Sequence, residues 1–476
     1  MEGIFARIGC RAAVYVPALA LMTSAITAGA GEWSISGTVV APDHVIEDGT
    51  VVTSGGKIVA VDATAGIKTS GPVIATDAII LPGFIDLHNH LSWNDLPRWV
   101  PNHRFGNRYD WQDTAEYDRL LVAPHSAAIA SAACESEIYA EVKAIMGGAT
   151  SVVGSLMPTP AHPEYAACSK GLARNLDLAS ELGYAQVAPN DPCQPKGSDP
   201  QSLLDVVDYE VFPMEAGYLR LDFLRCLLKS GQLKGLIVHL SEGSPTDSSA
   251  HREFLMLKKG GLIAPGLVIV HGTALRPEDF GELTGRAGLV WSPRSNDELY
   301  GGTANIVAAM QASVPIAIAP DWSPTGSAGM LQELGYAARR HPFVKADRLV
   351  VMATSAPATI SRLQDRLGAL APGMLADIVV VRGDRLKPYE AVVKASPADI
   401  LLVAVGGQPL YGDAKFMARL LPGSALETMT VCGQLKAMYL GDSEAAVRKE
   451  TFSQIEGILR TALGRAGSTL GAYECD

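Results

Sequence analysis

The strongest constraint on the fold is a series of apolar runs that end at or beside residues with metal or proton chemistry. Three of them are clear: Gly235–Leu240, Leu267–His271 and residues 314–321, which carry His239, His271 and Asp321. Continuous apolar runs are typical of strands buried on both faces of a parallel sheet. Helical stretches separate these runs between residues 82 and 369, so the pattern predicts repeated β–α units.

A further apolar run leads directly into His88-Asn89-His90. Pro82-Gly83 marks the start of a new element just ahead of it. On a β-strand, residues spaced i, i+2 lie on the same face, so both imidazoles could reach one metal ion. The alternative is a strand end that carries two histidines by chance, and only further ligands elsewhere can decide between the two.

Short β-strands flank this α/β part on both sides. Residues 33–81 contain two β-rich runs around Gly55-Gly56, which predicts a hairpin, and β character returns in residues 377–381 and 400–405. The simplest packing joins residues 31–81 and 370–420 in one small β domain, with residues 82–369 inserted between its halves. Residues 421–476 read as a helical C-terminal extension.

The first thirty residues have the layout of a secretory signal peptide. Arg7 and Arg11 precede an apolar segment, and Ala28-Gly29-Ala30 offers small residues for cleavage. An uncleaved hydrophobic arm is the alternative. We therefore expect an exported protein, periplasmic or secreted.

Six of the seven cysteines lie outside that segment, and an oxidising compartment would allow them to form disulfides. None shows CxxC spacing, which makes a cysteine metal site improbable, and the pairing cannot be read from the sequence.

Charge and hydropathy narrow the classes of partner. The formal net charge is −11, without a Lys/Arg cluster, which argues against nucleic acid because phosphate binding needs a basic face. Outside the predicted signal segment, no stretch approaches 18 uninterrupted apolar residues, so we expect no membrane association after removal of the signal. A small-molecule substrate is the expected partner. The sequence leaves open whether the protein forms a homo-oligomer.

Five chemically active side chains share one predicted location. His88, His90, His239, His271 and Asp321 all lie at carboxyl ends of predicted strands, and in a (β/α)8 barrel those ends form the face that carries active sites. A lone histidine is more often an ordinary core or surface residue, but five such placements rarely coincide by chance. The sequence therefore predicts an α/β fold, a (β/α)8 TIM barrel with a small composite β-sandwich.

These segments resemble the amidohydrolase superfamily, nearest to its cytosine deaminase and triazine chlorohydrolase branch. The resemblance covers about residues 33–415, and its motifs are His88-Asn89-His90, His239-Leu240-Ser241-Glu242, His271, Ser292-Pro293-Arg294-Ser295-Asn296, Asp321 and Pro372-Gly373. It implies a metal-dependent hydrolase of non-peptide carbon–nitrogen bonds in a cyclic or amide-like molecule, by deamination or by amide or lactam hydrolysis. The alternatives are an ester, phosphoester or C–Cl bond, or a non-catalytic binding barrel.

The resemblance also implies roles for single residues. His88, His90, His239 and Asp321 would bind one divalent ion, zinc before iron. Glu242 resembles the branch's proton-transfer glutamate, and Asp321 would double as a base. His271 would polarise the substrate or complete the metal shell. Members with two metals use a lysine or glutamate of the fourth strand, and no convincing lysine ends a strand between residues 185 and 225.

The loop after His90 is long and rich in aromatic residues, including Trp93, Trp99 and Trp111. Such loops are commonly lids or binding loops, and aromatic rings suit a flat heterocycle, although a packed insertion is about equally compatible with the sequence. The candidates for substrate binding are Trp93, Asn94, Arg294, Asn296 and Trp322.

Overall fold

A computed structural model of the protein describes residues 32–69, 71, 73–156, 162–168, 171–184, 193, 207–210, 218–441, 443 and 449–475. The predicted signal segment lies outside these residues, and so do most of residues 185–225, in which no strand-end lysine was predicted. Among the residues that are described, no helix combines the length and the apolar character needed to cross a membrane.

The described chain is a mixed α/β structure. Its strands are β1 Trp33–Val40, β2 Val45–Ser54, β3 Lys57–Ala63, β4 Val73–Pro82, β5 Phe84–Asp86, β6 Ala149–Val152, β7 Arg174–Asn175, β8 Val207–Glu210, β9 Gly235–Leu240, β10 Leu267–His271, β11 Ala287–Trp291, β12 Ile316–Ile318, β13 Ile378–Val381, β14 Ile400–Val405, β15 Gln408–Asp413, β16 Glu427–Val431 and β17 Gln434–Met438. Its α-helices are α1 Arg108–Gln112, α2 Ala115–Tyr117, α3 Ala123–Met146, α4 Ala179–Leu182, α5 Tyr218–Ser230, α6 Ser248–Lys259, α7 Asp279–Leu283, α8 Pro293–Tyr300, α9 Ile306–Gln311, α10 Met330–Arg340, α11 Ala346–Ala353, α12 Ser355–Ile360, α13 Pro388–Lys394, α14 Ala414–Leu420 and α15 Phe452–Arg465.

Strands from both ends of the chain form one nine-stranded sheet, in the order β16-β17-β15-β14-β13-β4-β1-β2-β3. The two ends meet where β4 pairs antiparallel with β13, from Ile79 opposite Val381 to Pro82 opposite Ile378. Residues 78–82 of β4 and all of β13 are buried, which explains the continuous apolar sequences of these two segments.

The central part of the chain supplies parallel strands in two groups. One sheet has the order β12-β11-β10-β9-β8, and the other has the order β5-β6-β7. A parallel bridge between Asn89 and Asp321 links the chain just after β5 to the chain after β12. It therefore brings the His88-Asn89-His90 motif beside Asp321. Strand β12 is shorter than predicted because Pro315 and Pro320, which cannot donate to a strand ladder, flank it.

The prediction of a wholly helical C-terminal extension is wrong for its first part. Residues 427–438 form the hairpin β16–β17, and β17 pairs antiparallel with β15 at the edge of the nine-stranded sheet. Helix α15 starts at Phe452, where the Thr451 side chain accepts from Gln454 N as an N-cap. Residues 444–448, which belong to the predicted helical extension, lie outside the described part.

Three disulfides join the six cysteines among the described residues. They are Cys134–Cys168, Cys193–Cys226 and Cys432–Cys475. The last one ties the turn between β16 and β17 to the C-terminal tail.

Candidate metal centre and active site

The five predicted strand-end residues converge. His239 lies within β9 and His271 ends β10, whereas His88 and His90 follow the end of β5 and Asp321 follows β12. His271 and Asp321 have left-handed backbones, with φ of 66° and 70°. This conformation is strained for residues other than glycine, and such strain clusters at functional sites, where the surrounding structure holds it.

Three imidazoles and one carboxylate form the centre of the cluster. His88 Nε2 lies 3.1 Å from His239 Nε2 and 3.1 Å from Asp321 Oδ1. His90 Nε2 lies 3.3 Å from His239 Nε2 and 3.5 Å from Asp321 Oδ1. Donor atoms that bind zinc tetrahedrally at about 2.1 Å lie about 3.4 Å from one another, so these spacings fit such an ion.

The protonation states also fit a cation. Burial lowers the pKa of all three histidines: the pKa of His90 falls to about 4, and the pKa values of His88 and His239 are lowered as well. Burial alone would raise the pKa of Asp321, but His88, His271 and His90 outweigh it and hold that pKa below its usual value. Neutral imidazoles beside an ionised carboxylate are the forms that bind a divalent metal.

A second layer of hydrogen bonds orients these groups. His88 Nδ1 lies 2.7 Å from Ser292 Oγ, and Ser295 Oγ donates to Asp321 Oδ2 at 2.5 Å. Both serines belong to the Ser292–Asn296 motif that the sequence singled out. Outer partners of this kind fix the orientation of metal-binding side chains and tune their basicity.

Asn296 sets the tautomer of His271. The amide nitrogen of Asn296 donates to Thr303 Oγ1 at 3.1 Å, so its oxygen faces His271 Nδ1 at 2.8 Å and must accept from it. His271 Nε2 therefore presents a lone pair to the site when the ring is neutral, 3.6 Å from Glu242 Oε2.

Glu242 lies beside this centre and is only 5% exposed. Tyr300 donates its hydroxyl proton to Glu242 Oε1 at 2.6 Å, and Arg108 Nη1 lies 4.0 Å from Oε2. A carboxylate with these partners is fixed in position while one oxygen stays available to a reacting group.

A cavity of about 400 Å³ opens above the cluster. The metal-centre groups form its floor, and the chain segment after His90 supplies much of its aromatic wall. Its lining residues are His90, Trp93, Arg108, Trp111, Gln112, Tyr117, His239, Glu242, His271, Leu299, Asp321 and Trp322. A cavity with apolar walls and a few convergent polar groups is typical of a small-molecule site.

Two of the five predicted substrate-binding residues line this cavity, Trp93 and Trp322. Their rings contact each other edge to face, with centroids 5.6 Å apart, and Trp93 stacks on His125. This packing holds both rings in place, so they can present fixed surfaces to a ligand.

The other three predicted substrate-binding residues, Asn94, Arg294 and Asn296, lie outside the cavity lining, which corrects their expected placement. The Asn94 side chain is buried between Asn89 and the backbone of Ser323. The Arg294 guanidinium pairs with Glu474 of the C-terminal tail at 2.8 Å. The Asn296 side chain is hydrogen-bonded to His271 instead. Their polar groups are engaged within the protein, which the motif alone does not reveal.

Several groups at the site had no signal in the sequence. Tyr117 and Leu299 line the cavity, and Tyr300 contacts Glu242, although no motif or spacing marks any of them. Arg108 and Trp111 belong to the loop that the sequence analysis singled out for its composition, but their contacts with Glu242 and Tyr300 depend on tertiary structure.

Comparisons with known proteins agree with this geometry. Residues 234–410 match the Amidohydrolase family. The chain is 24% identical over 415 residues to a 5-methylthioadenosine/S-adenosylhomocysteine deaminase from Syntrophobacter fumaroxidans, covering 78% of this chain and 90% of the relative.

Two solved structures show the shared fold. One is an adenosine deaminase from Xanthomonas campestris with bound zinc, with a TM-score of 0.63, 20% identity and coverage of 90% of this chain and 99% of that one. The other is an atrazine chlorohydrolase mutant from Arthrobacter aurescens complexed with zinc and atraton, with a TM-score of 0.61, 19% identity and coverage of 82% and 100%.

The resemblance to the amidohydrolase superfamily that the sequence predicted is therefore confirmed. The protein is a metal-dependent hydrolase of the class that acts on carbon–nitrogen bonds.

Proposed function

We propose that the protein is a hydrolytic deaminase of an aminated aromatic heterocycle, with one divalent ion, zinc before iron, at its centre. The observation that carries the proposal is the convergence of three imidazole nitrogens and Asp321 beside Glu242, on the floor of an aromatic-walled cavity. The deaminases among the relatives support the choice of deamination over amide or lactam hydrolysis.

His88, His90, His239 and Asp321 would hold the ion. When bound, it would lower the pKa of a water molecule to roughly 7 and so supply a nucleophile at neutral pH. In the proposed reaction, Glu242 accepts a proton from the attacking water at Oε2 and passes it to a ring nitrogen of the substrate. His271 Nε2 lies 3.6 Å from Glu242 Oε2, and its neutral ring would take the second proton of the added hydroxyl group and give it to the amino group, which leaves as ammonia.

The aromatic wall would bind the substrate. Trp93, Trp111, Tyr117 and Trp322 offer ring faces and edges to a flat heterocycle and exclude water from the reacting carbon. Among the known relatives, the deaminases make purines and their nucleosides the first compounds to try.

We also propose that the parallel strands β5 to β12 form the eight strands of a (β/α)8 barrel, with the nine-stranded sheet as its composite β-sandwich domain. The bridge between Asn89 and Asp321 supports this, because it brings the first of these strands beside the last.

We propose that the protein is exported to an oxidising compartment after cleavage of the first thirty residues, and that it acts there on small molecules without a nucleic-acid or membrane partner. The three disulfides support the compartment, since such bonds rarely persist in a reducing cytosol. Mass analysis of the mature N-terminus would test the cleavage.

The central experiment combines metal analysis with a substrate screen. The protein, purified without chelators, is expected to contain about one divalent ion per chain and to release ammonia from 5-methylthioadenosine, S-adenosylhomocysteine or adenosine. Chelation should abolish the release, and added zinc should restore it. Release of chloride or an alcohol from a triazine without ammonia, or turnover by metal-free protein, would contradict the proposal.

A further inference from the structure

Glu242 is held from two sides by groups that the sequence motifs do not include. We propose that Tyr300 is a positioning residue for Glu242, and that Trp111 fixes the direction in which Tyr300 donates its proton. This inference rests on the proton-transfer role proposed for Glu242.

The chemistry of the three groups permits one arrangement of protons. The Trp111 indole N–H can only donate, and it donates to the Tyr300 oxygen at 2.8 Å. An ionised carboxylate can only accept, so the single phenol proton of Tyr300 is directed to Glu242 Oε1, 2.6 Å away. Burial and the neighbouring Glu242 charge raise the pKa of Tyr300, so the phenol keeps that proton.

The arrangement leaves the second carboxylate oxygen for chemistry. Hydrogen bonds to an ionised acceptor are short and strong, and this one occupies Oε1. Oε2 faces His271 Nε2 at 3.6 Å and Arg108 Nη1 at 4.0 Å. Tyr300 therefore selects Oε2 as the oxygen that carries the transferred proton.

The same segment that forms the aromatic wall supplies this support. Trp111 and Arg108 both lie on α1, and the Arg108 backbone N–H donates to the Glu242 carbonyl at 3.3 Å. A backbone bridge between Asn107 and Gly243 joins the two loops next to this contact. The guanidinium of Arg108 is itself fixed by Glu253 Oε1 at 3.0 Å. The loop after His90 thus sets the position of Glu242 as well as the shape of the cavity.

The test is a double-mutant cycle on the zinc-loaded protein, with the compound from the screen that it deaminates. Tyr300→Phe keeps the ring and removes the hydroxyl. We expect kcat to fall about 10- to 100-fold, as for the loss of a hydrogen bond to a charged group, while KM changes by less than about threefold. In a Glu242→Gln background, followed by single-turnover kinetics, the same substitution should cost almost nothing, because its effect acts through the carboxylate.

Tyr336→Phe is the matched control. Its hydroxyl donates to the carboxylate of Asp297 at 2.9 Å, on the same helix α8 but away from the cavity. It should leave kcat and KM at the wild-type values. Trp111→Phe should lower kcat less than Tyr300→Phe does, and zinc content should be unchanged in all of these variants.

The outcomes separate the inference from the function on which it rests. Equal losses from Tyr300→Phe in both backgrounds, or a loss that appears only in KM, would overturn the positioning role and leave the deaminase assignment intact. Full kcat in Glu242→Gln would remove Glu242 from proton transfer, and the inference with it. A protein that deaminates no compound of the screen would overturn both.

Discussion

The two ring nitrogens of His88 have different roles: one contacts a supporting serine, and the other faces the candidate metal centre. The side chain is fully buried, with Nδ1 on Ser292 and Nε2 facing Asp321 and His239. Because burial lowers its pKa, the ring stays neutral at pH 7 and keeps a lone pair for a cation. Ser292 fixes the plane of the His88 ring. Loss of His88 should therefore weaken metal binding more than loss of the Ser292 hydroxyl does.

At this scale we predict graded losses of metal. Ser292→Ala should weaken zinc binding about 10- to 100-fold, as is typical of an outer-shell partner, and His88→Ala or Asp321→Ala should abolish retention and turnover. The exposed His44→Ala is the control and should match the wild type. Zinc content after dialysis against a graded chelator series measures the effect. A wild-type zinc content in Asp321→Ala would remove this residue from the centre.

At the scale of elements, the sequence predicted the buried strands well. The bounds of β9, β10 and β14 follow from continuous apolar runs, because both faces of these strands are buried. The hairpin β16–β17 escaped prediction since it alternates weakly and its second strand, Gln434-Leu-Lys-Ala-Met438, consists of good helix formers. Its pairing with β15 overrides that preference.

At the candidate site, too, some features could be predicted from the sequence and others could not. The candidate metal ligands could be predicted because each one lies near the end of a recognisable strand or just after it. The contacts of Tyr300, Arg294 and Asn94 could not, because their partners lie far away in the sequence: Glu242, Glu474 and Ser323. Partner choice among polar side chains is decided by packing, and no local pattern records it.

Helix α10 carries a buried carboxyl that should make stability depend on pH. Burial raises the pKa of Glu333 to about 8, and its partners are Ser327 and the backbone of Arg294. In the unfolded chain the group titrates near 4.5, so between these values the folded state holds a proton that the unfolded state lacks. The resulting stabilisation is complete below about pH 4.5 and is lost as the pH rises through 8.

Glu333→Gln should flatten that dependence. The free energy of unfolding of the wild type is expected to fall by up to about 1.4 kcal/mol per pH unit from this group as the pH increases from 5.5 to 8.5, and the melting temperature should fall with it. The variant should lose this part of the slope, whereas the exposed Glu390→Gln should keep it. Thermal melts of zinc-loaded protein at matched ionic strength measure both. Parallel curves for wild type and Glu333→Gln would contradict the prediction.

At the scale of the whole molecule, the C-terminal tail joins parts that are distant in the sequence. Glu474 pairs with Arg294 of α8 at 2.8 Å, and Gly471 N–H donates to Asp95 O in the loop after His90. The Cys432–Cys475 disulfide anchors the end of this tail to the nine-stranded sheet. The tail therefore braces the loop that forms the cavity wall without lining the cavity.

Breaking this disulfide should destabilise the molecule more than it changes the chemistry. A disulfide typically contributes about 2–4 kcal/mol, so Cys475→Ser should lower the melting temperature by several degrees, and Cys432→Ser should do the same because either change removes the same bond. The double variant should have the same melting temperature as the single variants. Turnover at low temperature should stay close to wild type, since the metal-centre residues are untouched. Non-reducing mass spectrometry with melting curves checks this, and free thiols at both positions in the oxidised wild-type protein would refute the bond itself.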